Sequence, residues 1–95
     1  MKKLTKRQIT RVEKIISEKI DLAVRIHLDS LTEMWAKGYI EKNSGMYDFC
    51  AGGIWSTLDT LQMMKVITLK EYFVLKDYYD EKRWEKRDEL RKAAA

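Results

Sequence analysis

The chain carries one thiol, Cys50, and one imidazole, His27. Nucleophilic catalysis needs such a pair, a thiolate generated by a nearby base, together with an oxyanion stabiliser. Both residues instead fall on apolar stripes at helical spacing. The ordinary occupants there are a small buried thiol and a core histidine with one hydrogen bond. A metal site would have to take at least two more ligands from carboxylates, and no CxxC, HExxH or EF-hand loop is present. Gly52 and Gly53 lack both the spacing and the preceding strand of a phosphate-binding loop. Carboxylates are plentiful only in the C-terminal charge run, where burial of the kind that shifts a pKa is not expected. The sequence therefore reads as non-enzymatic, with no catalytic residue, metal or cofactor. A minor alternative gathers Gly52, Gly53, Trp55, His27 and Cys50 around a small ligand.

Charge offers more. Residues 1–20 hold seven basic and two acidic groups, residues 21–50 three and five, residues 51–75 two of each, and residues 76–95 seven and six, so the net charge of +4 is N-terminal. Lys2, Lys3, Lys6, Arg7 and Arg11 form a basic end suited to phosphates or an acidic partner. Positive charge at a helix start opposes the macrodipole, which favours a functional reason for the placement. A second cluster, Arg83, Lys86 and Arg87, continues the face begun by Tyr72, Leu75 and Tyr79. Like charges repeat there at Glu81, Glu85 and Glu89, at Lys82 and Lys86, and at Arg83 and Arg87. Each such pair costs a few tenths of a kcal/mol in an isolated helix, so a neutralising surface outside the helix is expected. Tyr72, Phe73, Tyr78, Tyr79 and Trp84 surround the same helix. Not all fit one small core, so some are expected at an interface, with Tyr79 and Trp84 also suited to stacking on bases.

These residues must be positioned by helices. The 95 residues contain no proline, and no period-two segment argues for strand, so the fold class is all-α. Ile9, Val12, Ile16, Ile20, Ala23, His27, Leu31 and Met34 step by three or four, with Ile15, Leu22 and Ile26 widening the stripe. Thr5 with Gln8 forms a capping box, and Gly38 supplies a C-terminal stop, which predicts one helix over residues 6–37. A second helix follows the loop of residues 38–45 and keeps its spacing through Tyr47, Cys50, Ile54, Leu58, Leu61 and Met64. Val66 and Ile67 form the next turn. Thr68 with Glu71 caps a third helix from Leu69 to about Lys92.

One domain, residues 1–92, is expected, with residues 93–95 set aside as a tail of the kind cloning leaves. No apolar run reaches the ~18 residues of a membrane span, and Met1, Lys2 and Lys3 lead into no apolar signal segment. A soluble protein without membrane contact is expected, and a single cysteine suits the cytoplasm. A first helix of about 50 Å is longer than a domain of this size. Either it bends near Ser30 or a second copy covers it. The second is favoured, giving a homo-oligomer, most simply a dimer, with Ile9, Ile16 and Ile20 and the small-residue row Gly52, Ser56 and Thr60 as packing or self-association faces.

The turn at residues 64–72 has the spacing of a helix-turn-helix, but it lacks the usual glycine, and its second helix carries Tyr72, Phe73, Leu75 and Tyr79 where base-reading side chains belong. In size, bareness of motifs and helical make-up the chain resembles the small accessory proteins of phages and mobile elements, many of which bind and block a host protein. The expected function is a small protein-binding adaptor, regulator or inhibitor acting through Lys2, Lys3, Lys6, Arg7, Arg11, Tyr79, Arg83, Trp84, Lys86 and Arg87. The alternative is nucleic-acid binding by the same basic clusters.

Overall fold

The computed structural model describes residues 3–94. It is all-helical, with four helices: α1 (Lys6–Lys19), α2 (Leu22–Ile40), α3 (Ser44–Met63) and α4 (Leu69–Ala94). The three-helix expectation fails at one place. The stripe read as one helix over residues 6–37 breaks at Ile20, which is extended at φ −103° and ψ 122°, and restarts at Asp21, whose carboxylate accepts the Ala23 N–H at 3.1 Å. Asp is a poor interior residue and a good N-cap, because its short carboxylate satisfies an orphan N–H of the new helix.

The break also shifts the helical phase by one residue. Val12 and Ile20 are buried on α1, whereas α2 buries Leu28, Leu31, Thr32, Trp35 and Ala36. His27 and Ala23, placed on the apolar stripe by an uninterrupted count, are therefore exposed, as are Leu22, Ile26 and Met34. The chain folds back instead of extending, and the molecule measures 40 × 28 × 23 Å. That removes the argument which called for a second copy to cover a long helix. The turn is at residue 20, not near Ser30.

Gly38 is not a stop either. It lies buried inside α2, where a Cβ would come within 3.1 Å of Met46 Cγ and of the Tyr47 backbone nitrogen. Gly53 does the same from α3, its added Cβ meeting Leu31 Cδ1 at 3.1 Å. Two glycines thus bring α2 and α3 together as an antiparallel pair. The helix stops are made by lysines. Lys42 (φ 56°) and Lys65 (φ 62°) are left-handed, and each sits in a Schellman motif: Asn43 N–H to Gly38 carbonyl at 2.8 Å, and Val66 N–H to Leu61 carbonyl at 2.9 Å.

Helix α4 runs parallel to α2 and antiparallel to α1 and α3, so it is the common wall of the bundle. Both expected capping boxes form: Thr5 with Gln8, and Thr68 with Glu71 through bonds of 2.8 and 3.1 Å. Helix α1 is tied to α4 at both ends. The Leu4 N–H donates to the buried Glu81 carboxylate at 2.9 Å, and Lys19 bridges Glu71 at 2.8 Å. The core is filled by Val12, Leu28, Trp35, Ile54, Leu58 and Leu75, all at 0% exposure. Among the described residues no helix is long and apolar enough to cross a membrane.

A left-handed L-residue is unfavourable by about 1–2 kcal/mol, part of which glycine recovers. Lys65→Gly is expected to stabilise the protein by about 0.5–1 kcal/mol, read as a higher urea midpoint at unchanged m-value.

Candidate functional site

The residues singled out from the sequence divide into those the fold consumes and those it leaves exposed. Tyr79 (2% exposed) and Arg83 (8%) are buried, and neither presents a surface to a partner. The Arg83 guanidinium carbon lies 4.5 Å from the ring centre of Trp35 on α2 and 4.8 Å from that of Trp55 on α3, and the side chain pairs with Asp80 one turn earlier. Trp84 is half-buried, 5.2 Å from Trp35 and 5.8 Å from Tyr39 in edge contacts. Arg87 stacks on Trp84 at 4.4 Å and pairs with Asp88 at 2.8 Å, while Lys86 pairs with Glu89 at 3.5 Å.

Apart from Glu81, which is buried against the Leu4 N–H, the like-charge rows of α4 are thus paired within the helix. Lys82 meets Glu85 at 3.3 Å, three residues on, by the same rule. No outside surface is required. The i,i+4 count found the repulsions and passed over the i,i+3 attractions that interleave with them.

The chemistry considered for Cys50 and His27 also dissolves. Cys50 is fully buried, and burial raises its thiol pKa, so it stays protonated at neutral pH. His27 is on the exposed side of α2. Among the described residues no group of three or more His, Cys, Asp or Glu is arranged to hold a metal. Gly52, Ser56 and Thr60 form an exposed row, and α3 makes its close approach one residue away, at Gly53; among the described residues a Cβ at Gly52 would meet no atom within 4 Å. Ile20 is buried, and Ile9 and Ile16 are half-buried.

Apart from Leu22, Ile26 and Met34 on α2 and Phe49 on α3, two neighbouring exposed places stand out. Lys3, Lys6, Arg7 and Arg11 are solvent-exposed, joined by Lys14 on the face of Arg7 and Arg11, whereas Lys2 lies outside the described residues. Among the described residues none of these five makes an ion pair within 4.0 Å; the only pair formed from α1 is Lys19 with Glu71. Beside this face, a groove of about 370 Å³ between α1 and the start of α4 has Ile15 and Val74 among its lining and Arg11, Lys14, Lys19 and Lys70 set against Glu18 and Glu71.

The second place was not legible as a unit. The corner between α3 and α4 exposes Met63 (71%), Met64 (69%), Leu69 (55%) and Phe73 (56%). Spacing alone makes Met64 the end of an apolar stripe and Phe73 one of several aromatics around a helix. The left-handed Lys65 turns the chain so that Ile67 enters the core and the flanking methionines do not.

Glu71, at the edge of the groove, is held below the ordinary carboxylate value of 4.5 foremost by the Lys19 hydrogen bond, aided by the Thr68 N–H. The folded state therefore binds this proton less readily than the unfolded chain. Its contribution is complete above about pH 4.5 and lost as pH falls through the lower folded value. Urea midpoints measured from about pH 6 to 3 are expected to fall, and Glu71→Gln to flatten that acid limb. At the buried node, Arg83→Ala is expected to destabilise by about 2–4 kcal/mol in urea unfolding. Arg83→Lys should recover only part of that, because an ammonium lacks the planar face that lies against both indoles.

Compared with protein-family models, curated proteins and solved structures, the chain gives no significant match, so its function rests on the geometry above.

Proposed function

We propose that the chain is a small, non-enzymatic binding protein, an adaptor, regulator or inhibitor, that docks on a protein partner through the α3–α4 corner. One observation carries the reading: Met63, Met64, Leu69 and Phe73 are each more than half exposed within a single turn and its flanking helix ends. Scattered exposed apolar residues need no explanation, but four large ones within eleven residues of chain, on either side of one turn, favour an interaction surface. Methionines suit it further, because a flexible, polarisable side chain adapts to the shape of a partner. Of the anchors expected from sequence, Tyr79 and Arg83 are buried in the scaffold, while Trp84 and Arg87 pack on Tyr39 and stay partly exposed.

The second reading, nucleic-acid binding, is favoured by the unpaired cations of α1. Less favours its C-terminal cluster, since Arg83 is buried while Lys86 and Arg87 form surface pairs with Glu89 and Asp88. A helix-turn-helix role for α4 fares worse, because Leu75 and Tyr79 face the core. Self-association is one form of protein binding open to the corner, now without a long helix to demand it. A reducing, cytoplasmic setting is proposed with the binding role, in keeping with one unpaired thiol.

A photo-crosslinking residue placed at position 73, with position 92 as control, tests the reading in an extract of the source cells. A discrete protein adduct is expected from position 73 alone, resistant to nuclease and lost when Met63→Asp is added. Equal labelling from both positions, or an adduct that nuclease removes, would reject it.

A further inference from the structure

The α1–α4 groove adjoins the apolar corner. Leu69 and Phe73 each precede a groove residue, Lys70 and Val74, and so lie about 100° around α4 from them. From this arrangement we infer that the partner's contact is an acidic segment: its carboxylates sit among Arg11, Lys14 and Lys70, and its apolar side chains run onto Phe73 and Leu69. The inference rests on the protein-binding reading and names the chemistry of what is bound.

Three observations select that occupant. The lining is basic, four cations against two carboxylates, and one cation and one carboxylate are spent on the Lys19–Glu71 pair. That leaves Arg11, Lys14 and Lys70 to attract acid. The groove is not uniformly basic, because Glu18 stands among the cations and Ile15 and Val74 contribute apolar surface. A nucleic-acid backbone, charged at every step, has no use for the apolar wall and cannot avoid Glu18, whereas a peptide that alternates acidic and apolar side chains can set its apolar residues on Ile15 and Val74 and keep its carboxylates to the cations. A second copy of this chain fits poorly. Of the four carboxylates bordering the groove between α2 and α4, three are already paired, Glu33 with Lys37, Glu85 with Lys82 and Glu89 with Lys86, which leaves Asp29 alone to meet three cations. Presenting the paired three to α1 would break those pairs.

The test is a selection from phage-displayed random peptides of about 15 residues, long enough for four helical turns, on the full chain. Affinities are then measured on wild type, on Arg11→Glu/Lys14→Glu/Lys70→Glu and on Phe73→Asp. All four positions are exposed or at a groove rim, and circular dichroism verifies each fold. Selected peptides are expected to interleave Asp or Glu with apolar residues and to bind the charge-reversed variant at least about tenfold more weakly. Raising NaCl from about 50 to about 300 mM should weaken them further. Peptides without acidic bias that bind the reversed variant as well as wild type, yet are lost with Phe73→Asp, overturn the inference and leave the protein-binding corner standing. Peptides sensitive to reversal but indifferent to Phe73→Asp keep the acidic site and overturn the corner. Displacement of the peptides by duplex DNA or by phosphatidylglycerol vesicles overturns the inference in favour of a polyanion. A wild-type dimer in light scattering that the reversal converts to monomer assigns the groove to a second copy and overturns it likewise. An empty selection overturns both.

Discussion

A guanidinium group held against two indole rings ties three of the four helices together. Arg83 of α4 reaches Trp35 on α2 and Trp55 on α3, with Asp80 supplying the counter-charge from its own helix. A buried cation is tolerable only when charge and face are both matched, and each match here comes from a different direction. The consequence is rotational. With Arg83 inward, α4 must also turn Leu75 and Tyr79 to the core, and Trp84 and Arg87 onto the ring of Tyr39. The remaining aromatics follow, with Trp35, Tyr39, Tyr47 and Trp84 within 5.1 to 6.3 Å of one another in the pairs they form.

Helix α1 stands apart from this arrangement. It is attached through Val12 and Ile20 and through polar ties at its ends, Leu4 to Glu81 and Lys19 to Glu71. Its outer face keeps cations that nothing in the described chain neutralises, while residues 80–89 of α4 pair most of their charges internally. The same molecule thus has one charged segment largely closed on itself and one charged helix face open to solvent. Charge left unpaired on a surface adds little to stability, because water already solvates it, so its value lies in what it attracts. The adjoining apolar corner gives that attraction somewhere to end, since steering brings a partner near and buried apolar area holds it.

Much of this was legible in the residues. The all-α class, the caps at Thr5 and Thr68, the turn at Val66 and Ile67 and the extent of α4 follow from local rules, because caps and periodicity are satisfied within a few residues of chain. The bend at Ile20 was missed although Asp21 signals it. An N-cap is conspicuous only when apolar spacing lapses, and here the stripe continued within one residue of its phase. The site was read backwards for a related reason. Aromatics beside arginines on α4 resemble a binding surface, and deciding whether such a pair faces solvent or a neighbour requires knowing where Trp35 and Trp55 lie, twenty and more residues away in the chain.

By itself the sequence determined the all-helical class, the caps at Thr5 and Thr68, the start of α4 and the N-terminal excess of positive charge, all of which depend on side chains and backbone within about one turn of each other. It also limited the chemistry, having one thiol and one imidazole to offer. Tertiary structure alone decided which face of each helix is covered. It buried Arg83 and Tyr79, exposed His27, and gathered Met63, Met64, Leu69 and Phe73 at one corner. Burial is a property of pairs of distant segments, set by how glycines 38 and 53 let α2 and α3 approach and by how a left-handed lysine redirects the chain into α4.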